Sequence, residues 1–140
     1  MKSKLFVVII FVLASLSCTK KNDIPELKSL DVPEELQGTW QWNYDYGGIF
    51  LTYYTPQTVG VTIKIQIDSD HTYRYFENNA LLTQCKFILK IGESITNNDS
   101  ALIISNIPGA PKSILFKNLD SLVFIDQYHN GWEHHYSRIK

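Results

Sequence analysis

From Gly38 onward, apolar and polar side chains alternate in short runs, and turn-forming residues interrupt them at regular intervals. Trp40, Trp42, Tyr44 and Tyr46 fall in one phase of the first run, with Gln41, Asn43 and Asp45 in the other. A period of two is that of a strand with one buried face, and Gly47-Gly48 ends it. Val59, Val61, Ile63, Ile65 and Ile67 repeat the pattern against Thr62, Lys64, Gln66 and Asp68. The turn Asp68-Ser69-Asp70-His71 then predicts an antiparallel hairpin with residues 72–77. Beyond Asn78-Asn79, the alternation predicts strands at 84–91, 101–105, 112–117, 121–126 and 132–139. Glu34-Glu35-Leu36 predicts one helical turn, and no longer helical period occurs. The expectation is an all-β, antiparallel domain of about eight strands over residues 34–140. Strands in such an order close most simply as an up-and-down barrel, which removes exposed edges. A two-sheet sandwich predicts nearly the same strand string.

The pattern ahead of this domain is different. Met1-Lys2-Ser3-Lys4 is basic, residues 5–16 are almost wholly apolar, and small residues lead to Cys18. A span of about 12 apolar residues is too short for a hydrocarbon core, which needs roughly 20. The order of charged, apolar and small-residue zones is that of a cleaved export signal. Ser15-Leu16-Ser17-Cys18 resembles a bacterial lipoprotein signal, with Ser15 where leucine is usual. The resemblance implies a signal peptide over 1–17, diacylation of Cys18, and a membrane partner held through acyl chains. Residues 18–33 are polar, contain Pro25 and Pro33, and read as a flexible tether.

Composition narrows the function classes. Removing residues 1–17 takes away two lysines, leaving 11 basic and 14 acidic side chains. That mild acidic balance excludes the basic footprint of a nucleic-acid partner. With Cys18 acylated, Cys85 has no partner for a disulfide, and its apolar surroundings mark it as a packing residue. The aromatic content of 13%, including eight Tyr and three Trp, suits pleated, half-buried surfaces.

Two short segments carry a family resemblance. Gly38-Thr39-Trp40 opens the first strand, and Tyr136-Ser137-Arg138-Ile139 closes the sequence. The pairing is similar to the lipocalin or calycin pattern, which implies that Arg138 from the last strand lies over the Trp40 indole. A cation–π contact of that kind contributes roughly 0.5–2 kcal/mol. The domain as a whole resembles small lipocalin-like lipoproteins of Bacteroidetes-type bacteria. That resemblance rests on Leu36-Gln37-Gly38-Thr39-Trp40-Gln41-Trp42, Gly47-Gly48-Ile49, Thr55-Pro56 with Gly60, and the segment from Gly131 to Ile139. It implies a β-barrel lipoprotein of the cell envelope, anchored in the outer membrane, with the periplasmic and surface faces both open.

Candidate chemistry is sparse. No Gly-x-Ser-x-Gly elbow, phosphate-binding glycine loop or metal motif is present, so no enzyme, cofactor or metal is expected. Asp126, His129, Glu133, His134 and His135 gather in ten residues, but on a strand His134 and His135 point to opposite faces, so a metal-dependent site at His129–His135 is the lesser alternative. Trp42, Tyr44, Tyr53 and Tyr75 are the candidate ligand-binding residues, because barrel mouths lined by aromatics with a few polar anchors favour small apolar ligands. The expected function is non-catalytic binding of a small, partly apolar molecule. The alternative is a filled-core structural or protein-interaction module of the envelope.

Overall fold

A computed structural model describes residues 28–140; the predicted signal and Cys18 lie outside them. The alternating segments form ten antiparallel strands: β1 (Gly38–Gly47), β2 (Thr52–Tyr54), β3 (Ile63–Ile67), β4 (Thr72–Glu77), β5 (Ala80–Lys86), β6 (Ile88–Glu93), β7 (Ser100–Ser105), β8 (Lys112–Asn118), β9 (Ser121–Asp126) and β10 (Trp132–Arg138). One helical turn, α1 (Pro56–Val59), starts at the Thr55 cap and ends at Gly60 in the left-handed conformation. The strand order is β5-β4-β3-β1-β10-β9-β8-β7-β6, with β2 paired to β1. The domain is therefore all-β and antiparallel, and the first and last long strands are neighbours.

Two expectations about the sheet need correction. Among the described residues there are ten strands rather than eight. The short β2 is an addition, and the single strand expected at 84–91 is two strands divided at Phe87. The Phe87 ring is buried in the core, and its N–H donates to the His71 carbonyl at 3.0 Å. This corner makes the chain leave β4 as its partner and take up β7 instead. The second correction concerns closure. Along the path, consecutive strands fold back on one another, but β5 runs on into β6, so these two remain as edges. The hydrogen-bonded sheet is thus not a closed barrel.

The β6 edge has a covering segment. Leu30 N–H donates to the Leu89 carbonyl, the Leu89 N–H donates to Ser29 Oγ, and His71 Nε2 donates to the Leu30 carbonyl at 2.8 Å. Val32 is buried in the core beyond them. Packed structure consequently begins at Ser29, before the boundary at 34 drawn from the pattern.

One face of the curved sheet encloses the core. Trp40, Ile65, Ile67, Leu89, Ile104 and Leu122 have no solvent exposure, and Trp42, Phe124 and Tyr136 have almost none. The opposite face is covered in part: Ile103, Ser113, Val123 and His135 are buried there. The loop after β6 helps to cover it, where the Ile95 N–H donates to Gln127 Oε1 and Gln127 Nε2 donates to Ser113 Oγ.

Candidate functional site

The residues around Trp40 form one end of the domain. Trp40 and Arg138 are directly opposed in the β1–β10 register. The guanidinium carbon lies 4.2 Å from the indole centroid. Its nitrogens donate to the carbonyls of Gln37, Glu35 and Leu119, while Trp40 Nε1 donates to the Leu36 carbonyl at 3.0 Å. Gly38 explains the other fixed position of the Gly-x-Trp motif. Its φ is +126°, and a Cβ there would sit 2.8 Å from Arg138 Nη1. The missing side chain makes room for an arginine that three carbonyls already hold in place.

The opposite end carries the charged side chains, and a β-bulge puts them there. The β1–β10 register slips between Trp42 and Tyr44, so Trp42 faces Tyr136 while Tyr44 faces His135. The extra residue reverses the phase of everything after it. Tyr44 therefore turns to the outer face, where it stacks on His135 at 4.1 Å and on Tyr53 at 4.9 Å. Asp45 turns inward instead. The expectation that Trp40, Trp42, Tyr44 and Tyr46 share one face holds only as far as Trp42.

Four interior groups then meet. Asp45 Oδ1 accepts from Trp42 Nε1 at 2.7 Å and from His134 Nδ1 at 2.9 Å. His134 Nε2 lies 3.3 Å from Asp126 Oδ1. Lys112 Nζ forms an ion pair with the same oxygen and stands 3.4 Å from His134 Nε2. The backbone N–H of Trp132 donates to Asp126 Oδ2 at 3.3 Å. Two carboxylates face one ammonium and one imidazole, so the group is electroneutral with His134 protonated. Burial opposes that charge on His134, but the bonds to Asp126 and Asp45 outweigh it and raise the pKa above its ordinary value. Burial also opposes the Asp126 charge, and the bonds from His134 and Lys112 overcome it and lower that pKa. Both ring nitrogens of His134 and both Asp126 oxygens are engaged.

The candidate ligand residues are divided by the wall of the sheet. Trp42 is 3% exposed and faces the interior, as does the half-buried Tyr75 opposite Ile65. Tyr44 and Tyr53 stand on the outside. The structure thus brings together Tyr44 with Tyr53, and Trp42 with Asp45, but not the four as one lining. Four surface concavities of 280–340 Å³ include none of these four side chains. In the histidine-rich segment, His134 and His135 point to opposite faces; His135 Nε2 bonds Glu133 Oε2 at 3.0 Å, and burial lowers its pKa. Among the described residues, no group of three or more His, Cys, Asp or Glu is placed to hold a metal. Cys85 is half-buried, and burial raises its thiol pKa.

Asp45 and Lys112 were missed by the pattern reading. Lys112, Asp126 and His134 are in phase with the interior residues Ile114, Phe124 and Tyr136, a signal that was present. No protein-family model matches the chain, and neither a curated protein nor a solved structure is significantly similar to it.

Proposed function

We propose that this chain is a lipid-anchored lipoprotein of the cell envelope whose lipocalin-like β-domain is non-catalytic and filled, working through its outer surface. The observation that carries this reading is the interior itself. Trp40, Trp42, Tyr73, Phe124 and Tyr136 are buried within it, and the Asp45–His134–Asp126–Lys112 network occupies the end where a ligand would enter. Small barrels are filled in this way by their own side chains. A carrier of an apolar molecule needs apolar lining with a few polar groups left free to receive it. Here the polar groups satisfy one another, and no buried side-chain nitrogen or oxygen among the described residues lacks a partner. The saturated His134 ring likewise gives no free base beside a nucleophile, which supports the non-catalytic reading.

Native mass spectrometry of the protein extracted from envelopes tests this. The reading predicts a mass equal to the acylated polypeptide alone. A stoichiometric small molecule that leaves on Trp42→Ala would establish the carrier reading in its place.

A further inference from the structure

The hairpin joining β1 to β2 exposes three consecutive large apolar side chains at its tip. Ile49 is 77% exposed, Phe50 89% and Leu51 64%. Most of their surface is in water, and each would lose unfavourable hydration on transfer to an apolar phase. Two further observations show that these residues are not incidental.

The first is backbone conformation. Leu51 has φ +49°, a left-handed value that is unfavourable for a side chain with a Cβ. Among the described residues, six other non-glycine residues adopt positive φ, five of them asparagine and the sixth His71. Asparagine or glycine is the easy choice for such a turn. Leucine at the tip keeps an apolar side chain at the expense of the turn.

The second is charge. From Tyr46 to Ile63 the chain contains no Asp, Glu, Lys, Arg or His, although 19% of the whole sequence is Asp, Glu, Lys or Arg. Aromatics surround the neck of the hairpin on both faces. Tyr46 and Tyr53 are paired on the outer face. Tyr54 lies 5.4 Å from Trp132 on the other. Gly48 makes that neck narrow, because a Cβ there would approach the Trp132 ring to 3.0 Å. An apolar tip with a collar of Tyr and Trp is the distribution of side chains across a bilayer interface, where amphipathic rings sit at headgroup level. A protein–protein contact would instead have a polar, charge-bearing rim.

We propose that the Ile49-Phe50-Leu51 tip inserts into the interface of a zwitterionic bilayer and sets the orientation of the domain on the membrane. The proposal rests on the lipid-anchored reading above. Chain length permits both attachments to one bilayer. The described chain starts beside His71 and Leu89, toward the Gly38 end of β1, and the hairpin tip is at the other end. Ten residues from Cys18 to Lys28 reach at most about 35 Å, and the ten residues of β1 span about 33 Å. The anchor and the tip reach one surface when the domain lies along it. The diacylated Cys18 supplies stable retention by itself, so the contribution of the tip is orientation.

The test uses the full acylated protein in phosphatidylcholine vesicles. A nitroxide is attached at Phe50→Cys, in a Cys85→Ser background, with Leu119→Cys as the solvent-exposed reference. The expected result is a several-fold loss of access to a water-soluble nickel chelate at position 50 relative to 119, with oxygen access raised. Introducing Leu51→Gly, which relieves the turn and leaves the fold at least as stable, is expected to restore nickel access at 50. Equal nickel access at the two positions would overturn the proposal. So would spin–spin broadening at position 50 that disappears on mixing with unlabelled protein, because it would mean that a second copy covers the tip. A mass lacking acyl groups on Cys18 would overturn the anchored reading beneath it, whereas an acylated chain with a water-exposed label overturns the insertion alone.

Discussion

His134 is the residue at which the interior network can be interrogated by pH. Its folded-state pKa is raised, so the stabilisation from its charged form is fully present below the unfolded value of 6.5. That contribution is lost as pH rises through the elevated folded value. Asp126 has the opposite sign, since its pKa is lowered from 3.8 and its stabilisation fails only as pH falls below that range. Hydrogen bonds to charged groups contribute roughly 1.5–3 kcal/mol each. His134→Gln is therefore expected to cost on the order of 2 kcal/mol at pH 5 and less at pH 9, read from urea midpoints at the two pH values. An equal cost at both would place no charge on the ring. At this scale the sequence was only partly legible. The Trp40–Arg138 contact followed from a resemblance and the neighbouring of first and last strands, and the structure gives it a 4.2 Å separation. The His134 contacts did not follow, because they depend on Asp45 being inside.

Asp45 is inside because β1 is bulged, and this is an effect at the scale of the element. The run Trp42-Asn43-Tyr44-Asp45-Tyr46 keeps unbroken alternation through the bulge, so periodicity contains no trace of it. A one-residue slip sends every following side chain to the other face. Deleting Asn43, the unpaired residue of the bulge, is expected to straighten β1 while leaving Tyr44 outside and Asp45 inside, because Tyr44 already faces His135 and Asp45 already faces His134. The interior charges then keep their partners, and the His135–Tyr44 stacking shifts are expected to remain in the NMR spectrum. Loss of those shifts would contradict the assignment of Asn43 as the extra residue of the bulge. The corner at Phe87 was equally hidden. Cys85, Phe87 and Leu89 continue one apolar phase, yet hydrogen bonding transfers from β4 to β7 between them. Strand positions came readily from turn residues and alternation. Changes of partner within an uninterrupted run depend on long-range register, which local pattern does not encode.

For the whole molecule, the all-β antiparallel class and the contact between first and last strands were legible, while the open seam between β5 and β6 was not. Counting consecutive strands assumes a reversal after each one, and neither β2 to β3 nor β5 to β6 has one. The segment 29–32 lies against β6 at this seam, so residues read as linker belong to the packed unit. The exposed hairpin and the filled core divide the apolar residues between two tasks that composition alone merges. On the proposed reading the interior is packing and not a vacant binding site, and Trp42 lies at the point where the two differ. The most direct measurement is equilibrium unfolding of Trp42→Ala in denaturant, compared with the unsubstituted protein. A packed indole predicts a loss of about 3–5 kcal/mol. Stability close to that of the unsubstituted protein would mean that Trp42 borders empty space, and would contradict the filled-core account.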